Sequence, residues 1–172
     1  MTAAALPTYA EVLELPALLT GEVTADFIDA NGHMNIRHYL DAGALSADVL
    51  CRQVGIDDDY RGRRRLGVFT VEHHIRYFSE MHRGGRFSVH TLLVERSDKA
   101  AHLLSLILDT VAERLACTVE IMLVGVDMDT RRAATFPDDV AERLDARIAE
   151  ASAVSWPLPL SGAMGIRRAT VG

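Results

Sequence analysis

Apolar residues recur along this chain at two spacings, and the change from one to the other divides it. From Ile36 to Val54 they fall at steps of three and four. Ile36, Tyr39, Leu40, Ala44, Ala47 and Leu50 make one stripe, and Leu45 and Val49 widen it. A helix with so broad an apolar arc is predicted to be deeply packed. Gly43 in its middle costs about 1 kcal/mol relative to alanine, a cost that close approach to a neighbouring backbone would explain. Gly55 is placed to end the helix. Beyond a charged connector, DDDYRGRRR at 57–65, the period becomes two. Phe69, Val71, His73, Ile75 and Tyr77 share one predicted face of a strand, and Thr70, Glu72, His74 and Arg76 the other.

Gly84-Gly85 then turns the chain. Segments 87–94, 101–110 and 116–126 read as three more strands, joined by the short polar connectors RSDKA and VAERL. Such connectors leave no room for crossover helices, so the sheet is predicted to be largely antiparallel. Before the long helix, TGEVTADF from Thr20 to Phe27 reads as a short strand. After the sheet, 138–151 reads as a terminal helix with Val140, Leu144 and Ile148 at steps of four. Residues 1–17 read as a ragged lead-in, and the last twenty as a tail that wanders or docks locally. The class is α+β. The strands carry apolar residues on both faces, as at 92–94 and 103–108. A second subunit is therefore expected to complete the sheet or its edge.

A chain of 172 residues suits one domain with a real core. Acidic residues outnumber basic ones, 24 to 18, for a net charge of −6, which argues against a nucleic-acid partner. Arg61, Arg63, Arg64 and Arg65 nonetheless form a compact basic run. It reads either as a solvated loop balanced by Asp57, Asp58 and Asp59, or as a grip on phosphate. Cys51 and Cys117 lie far apart without metal-binding spacing and are expected to be reduced thiols. No stretch reaches the ~18 apolar residues of a membrane span, and the N-terminus lacks the pattern of a signal peptide. A cytoplasmic location is expected.

The densest chemistry lies in DANGHMN, from Asp29 to Asn35, just ahead of the long helix. Asp and Asn are favoured helix caps and Gly a favoured turn residue, so a well-made helix start is one reading. The other is catalytic. A helix N-terminus offers unsatisfied N–H groups to a developing oxyanion, Gly32 lets backbone approach a ligand, and Asp29 could activate water or attack directly. His33 could bind substrate or be structural, and Asn35 could hold the loop through side-chain to backbone bonds. Glu72, His73 and His74 alternate across a strand and show no metal-site spacing, so no metal is expected.

The segments DFIDANGHMNIRHYL, FTVEHHIRYFSEMHRGG and CTVEIMLVGVD resemble the acyl-CoA thioesterases of the 4-hydroxybenzoyl-CoA thioesterase-like group in the hotdog superfamily. The resemblance covers about residues 18–135. It implies a hotdog fold, a long antiparallel sheet wrapped around a central helix, preceded by a lead-in at 1–17 and followed by an additional C-terminal helix and tail at 136–172. It also implies homodimers, which in many members associate further into tetramers, with active sites at the subunit interface. Asp29 would be nucleophile or general base, Gly32 the family glycine that follows it, and amides of the helix start, His33, Met34 and Asn35, would bind the thioester oxygen. Tyr39 would be the family tyrosine on the helix. Apart from the resemblance, Glu72 or His74 reads either as lining the acyl pocket of the neighbouring subunit or as a solvated strand face, and the grip on phosphate offered by Arg61, Arg63, Arg64 and Arg65 would fall on CoA. CoA enters as part of the substrate, with no separate cofactor.

The chain departs from the family pattern in three places. Phe27 stands where several relatives have the first acid of an Asp-x-Asp pair, Ile36 where many have a second asparagine, and Gly85 where the turn is usually Gly-Asp. These departures point away from the best-known substrates. A subgroup with the GHMN form is associated with short polar acyl groups such as betainyl-CoA. A non-catalytic acyl-CoA or acyl-carrier binding protein is the alternative.

Overall fold

The computed structural model describes residues 6–166; the outermost parts of the predicted lead-in and tail, 1–5 and 167–172, lie outside them. Within the lead-in, Tyr9–Leu13 forms a short helix, α1, where patterning predicted none. Thr8 and Glu11 start it with a reciprocal capping box, and Val12 is fully buried. The predicted strand at 20–27 is shorter than expected. β1 spans Leu19–Glu22, and a 3-10 turn at Ala25–Phe27 follows. The long helix α2 runs Ile36–Gln53, and the charged connector contains a one-turn helix, α3, at Asp58–Gly62. Strands β2 (Leu66–Tyr77), β3 (Arg86–Arg96), β4 (Ala100–Asp109) and β5 (Arg114–Asp127) come next, then helix α4, Asp138–Ser152. Among the described residues, no helix is long and apolar enough to cross a membrane.

All strand pairs are antiparallel, in the order β1-β3-β4-β5-β2. Strict alternation along β2 does not hold. The register shifts between Thr70 and Glu72, which leaves Val71 as an extra residue. A bulge of this kind reverses parity. Phe69 pairs with Val124, whereas His73 and Ile75 pair with Ile121 and Val119, which face the other side of the sheet. As an edge strand, β2 leaves Phe69 40% and Val71 60% exposed.

The concave face packs on α2, but the helix is rotated from its expected stripe. Its buried residues are Tyr39, Ala42, Gly43, Ser46, Ala47, Leu50 and Cys51, while Ile36 and Leu45 are 62% and 58% exposed. Small residues win this face because they let the helix lie close to the sheet. A Cβ on Gly43 would come within 2.9 Å of Val119 Cγ2, so the close neighbour is a side chain rather than a backbone. Ser46 stays buried because its hydroxyl bonds Thr91, Thr91 bonds Ser105, and Ser105 returns to the Gly43 carbonyl. Cys51 and Cys117 are free thiols, and burial pushes both up to about 12.

The convex face carries a second apolar cluster of Leu92, Leu104, Leu106, Leu108 and Leu115. The chain's own segments cover it: Val12 from α1, Ala151 from α4, and Trp156, Leu158 and Leu160 from the following strap. The expectation that a second subunit was needed to hide apolar strands thus fails for this face. The tail docks. At the polar end of that face, His102 places Nε2 3.2 Å from Glu120 and Nδ1 3.4 Å from Glu95. Those carboxylates accept the Ser161 and Ile166 N–H groups at 2.7 and 2.8 Å. The strap is pinned through two acids and one imidazole.

Candidate active site

The seven residues DANGHMN fold into a closed hairpin just before α2. Asp29 N–H donates to the His33 carbonyl, Gly32 N–H to the Asp29 carbonyl, and Asn35 N–H to the Phe27 carbonyl. Gly32 sits at φ +83°, a left-handed conformation that glycine adopts without strain, and this is what the position requires. Open space surrounds it, so close packing imposes no demand. Met34 N–H donates to the Met81 carbonyl, and Met81 N–H donates to the Tyr39 hydroxyl at 3.1 Å. Those two bonds stitch the hairpin and the first helical turn to the segment after β2. Burial, the largest influence, pushes Tyr39 up to about 12.

Asp29 is half-buried, and each of its oxygens has a partner. Oδ1 accepts the Asn31 N–H at 2.8 Å, and Oδ2 accepts the Asn35 side-chain amide at 3.2 Å. Asn35 also caps α2, its Oδ1 accepting the Arg37 N–H. One asparagine therefore aims the acid and starts the helix. Asn35 was expected to hold the loop through backbone bonds. Its bond across the loop is instead to the Asp29 side chain, and its backbone bond caps the helix, while no ion pair engages Asp29 among the described residues.

Counting amides narrows the donors that a ligand oxygen could find. The N–H groups of Asp29, Asn31, Gly32, Met34 and Asn35 are consumed within the fold. Those of Ala30, His33 and Ile36 have no acceptor among the described residues. Only His33 and Ile36 of these three line a cavity of about 360 Å³ beside the hairpin. The N–H groups of Met34 and Asn35, two of the three residues of the expected helix start, are spent on the scaffold together with that of Gly32. Ile36 could be found only this way, because its apolar side chain gives no chemical signal.

Tyr39, Tyr77, Phe78, Ser79 and Glu80 complete the cavity wall with Met34. Tyr39 was expected here; Tyr77, Ser79 and Glu80 were not singled out for it. The Tyr39 and Tyr77 rings meet edge to face, with centroids 5.3 Å apart. His33 Nε2 lies 3.9 Å from the Glu80 carboxylate. Asp29 does not line this cavity; its link to the wall runs through the hairpin and Asn35.

Other predicted contacts lie elsewhere in the chain. His74 faces Glu120 at 3.9 Å under the strap, and Glu72 shares its strand face, so the pleat turns both away from Tyr39 and Tyr77. The arginine run follows the far end of α2, about 25 Å of helix from the hairpin. There Arg61 pairs with Asp48 and Asp58, Arg63 with Asp59, Arg64 with Asp139, and Arg65 with Asp129. Within one chain these guanidinium groups tie α3 to its surroundings and do not reach the cavity.

Comparisons with known proteins fit this arrangement. The profile of the thioesterase-like superfamily matches residues 23–144. The L-carnitine dehydrogenase/betainyl-CoA thioesterase of Agrobacterium fabrum is 35% identical over 145 residues, covering 84% of this chain and 29% of that protein. The chain thus spans under a third of the length of that relative. The betainyl-CoA thioesterase of Pseudomonas aeruginosa is 32% identical over 130 residues, covering 75% of this chain and 80% of that protein. Among solved structures, a Staphylococcus aureus protein in complex with CoA superposes with a TM-score of 0.74 at 27% identity, covering 89% of this chain and 97% of that one.

Proposed function

Because the chain belongs to the thioesterase-like superfamily, we propose that it hydrolyses the thioester of a small, polar acyl-CoA. In this reading Asp29 is the base, and the His33 and Ile36 N–H groups receive the thioester oxygen. The observation that carries the reading is the amide count: of residues 29–36, five spend their N–H groups on acceptors within the fold, and two with unpaired N–H groups, His33 and Ile36, line the cavity. Relatives named for betainyl-CoA hydrolysis support the substrate class, and a similar structure holding CoA supports the carrier.

The chemistry follows from the parts. Asp29 takes a proton from water as the oxygen adds to the thioester carbon. The oxyanion gains two amide donors at the positive end of the α2 dipole, and collapse expels the CoA thiolate. Each Asp29 oxygen already accepts a hydrogen bond. Acting as base preserves both bonds, whereas attack on the carbonyl would take one oxygen out of its place, so we favour the base over a mixed anhydride. The exposed β2 edge is where a second copy would extend the sheet and complete the site.

A panel of acyl-CoA thioesters, read by free-thiol release, tests this. The wild-type chain turns over small polar members, and Asp29→Asn lowers kcat by roughly 10²–10⁴-fold, the usual worth of a general base. Equal rates in the two proteins would remove Asp29 from the chemistry. Tight binding of every thioester without thiol release would make the chain a binding protein instead.

A further inference from the structure

We infer that a second cavity, at the turns between β2 and β3 and between β4 and β5, receives phosphate groups of the CoA nucleotide through Arg83 and Arg114. The inference rests on the thioesterase reading and assigns the part of the carrier that the thioester cavity does not hold. It moves the grip on phosphate from the arginine run at 61–65 to the opposite end of the sheet.

The strand register fixes that end. Tyr77 pairs with Cys117, Phe87 with Asp109, and Asp109 with Arg114, so both turns lie together. The hairpin joins them there through the bond from Met34 N–H to the Met81 carbonyl, and His82 Nδ1 lies 3.4 Å from the Gly32 carbonyl. The 61–65 run precedes Leu66, which pairs with Asp127 at the other end.

The second cavity measures about 330 Å³, and Arg83, Arg114 and His82 line it, a cationic group in a chain of net charge −6. Gly84 and Gly85 put no side chain in its way. Arg83 is exposed and makes no ion pair or side-chain hydrogen bond among the described residues. Arg114 Nη2 donates to the Glu80 carbonyl at 3.1 Å, which steadies the guanidinium and leaves Nη1 open. Asp109 is the one acid in the lining, and its Oδ1 is spent on the Val111 and Ala112 N–H groups, both at 3.0 Å. The neighbouring Glu80 and Glu113 do not line this cavity, and Glu80 faces His33 instead.

The two cavities share one segment of chain. Glu80 lines the thioester cavity and Arg83, three residues on, lines the second. Their Cα atoms are at most about 11 Å apart, and the arginine side chain adds its own reach. The long arm between the CoA sulfur and its diphosphate carries the phosphates out of the first cavity, and the unpaired cations at this end stand ready for them. Guanidinium groups suit phosphate oxygens, whereas those of the 61–65 run are already taken by aspartates.

The test offers one small polar acyl group on CoA and on pantetheine, which has the thiol arm without phosphate. The ratio of the two kcat/KM values isolates the nucleotide, since folding and catalytic losses cancel in it. The wild-type ratio is expected to favour CoA by about tenfold or more. Arg83→Gln and Arg114→Gln are each expected to lower it roughly two- to fivefold, the scale of an exposed charge pair. Arg83→Lys, which keeps the charge, should stay within about twofold of wild type, and Arg65→Gln at the far end should leave the ratio unmoved. A wild-type ratio of one or less, or a ratio that neither Arg83→Gln nor Arg114→Gln moves, overturns the inference while leaving thioester hydrolysis standing. Should neither thioester be cleaved, the hydrolase reading falls, and calorimetric binding of CoA and of pantetheine decides. Tighter binding of CoA, weakened by Arg83→Gln while pantetheine binding is unchanged, upholds the inference; equal binding of the two, or CoA binding that Arg83→Gln does not weaken, overturns it.

Discussion

Two acid–imidazole constellations mark this molecule, and they are built on opposite terms. Asp29 and His33 stand at the opening of α2, half-buried, beside a cavity and two amides without acceptors. Glu120 and His102 lie under the strap, 0% and 1% exposed, with Glu95, His74 and the Ser161 N–H around them. The residue types could serve the same chemistry. What separates them is access: an acid consumed by internal partners and sealed from solvent holds the fold, while an acid fixed by two bonds yet reachable can work on a ligand. His102 and Glu120 did not stand out in the sequence, because 18 residues and a strand turn separate them.

The sharpest way to break the comparison is to neutralise each acid and read both stability and turnover. Asp29→Asn, expected to cost turnover roughly 10²–10⁴-fold, should leave the urea midpoint close to wild type, since asparagine can still accept the Asn31 N–H. Glu120→Leu should do the reverse. Removing one member of a buried charged pair costs about 3 kcal/mol, read as a lower urea midpoint, with turnover per folded molecule within about twofold. If Glu120→Leu abolished turnover in a well-folded protein, or Asp29→Asn unfolded the chain, the division would be wrong.

The pH dependence sharpens the same contrast. Burial pushes the Glu120 carboxyl up, but hydrogen bonds from His102 and Ser161 outweigh it and hold the group below its ordinary 4.5. The folded chain therefore favours the ionised acid. Its contribution is full above the ordinary value and is lost as pH falls through the lower folded value. The stability gap between wild type and Glu120→Leu should shrink below pH 4.5; a gap constant to lower pH would show that the acid is not ionised under the strap. The smallest effect belongs to Asn35→Ala. Loss of the cap costs about 1 kcal/mol, and loss of the amide that aims Asp29 should lower kcat about tenfold. A stability loss without a change in kcat would reduce Asn35 to a cap alone.

Much of the fold was legible because its signals are local. The helix at 36–53 and the strands after it follow from apolar period and from connectors too short for crossovers, and Gly55 ends the helix at φ +90° as expected. Errors arose where a local pattern met a competing demand. The α2 stripe is rotated because Ala42, Gly43 and Ser46 allow closer packing than the larger Ile36 and Leu45. The β2 alternation breaks at Val71, since a bulge leaves no mark in a run of β-formers.

At the site, the sequence by itself determined the hairpin and the helix start, because an aspartate, a glycine and a capping asparagine at that spacing can satisfy one another within seven residues. Only the tertiary structure decided which amides stay open, since that depends on Met81 claiming the Met34 N–H from 47 positions away. It also brought Tyr77, Ser79 and Glu80 against Tyr39, and it paired the 61–65 arginines with aspartates as far along the chain as Asp139. A hydrogen bond between distant residues is set by where the packed sheet and helix place them, and no local pattern encodes that placement.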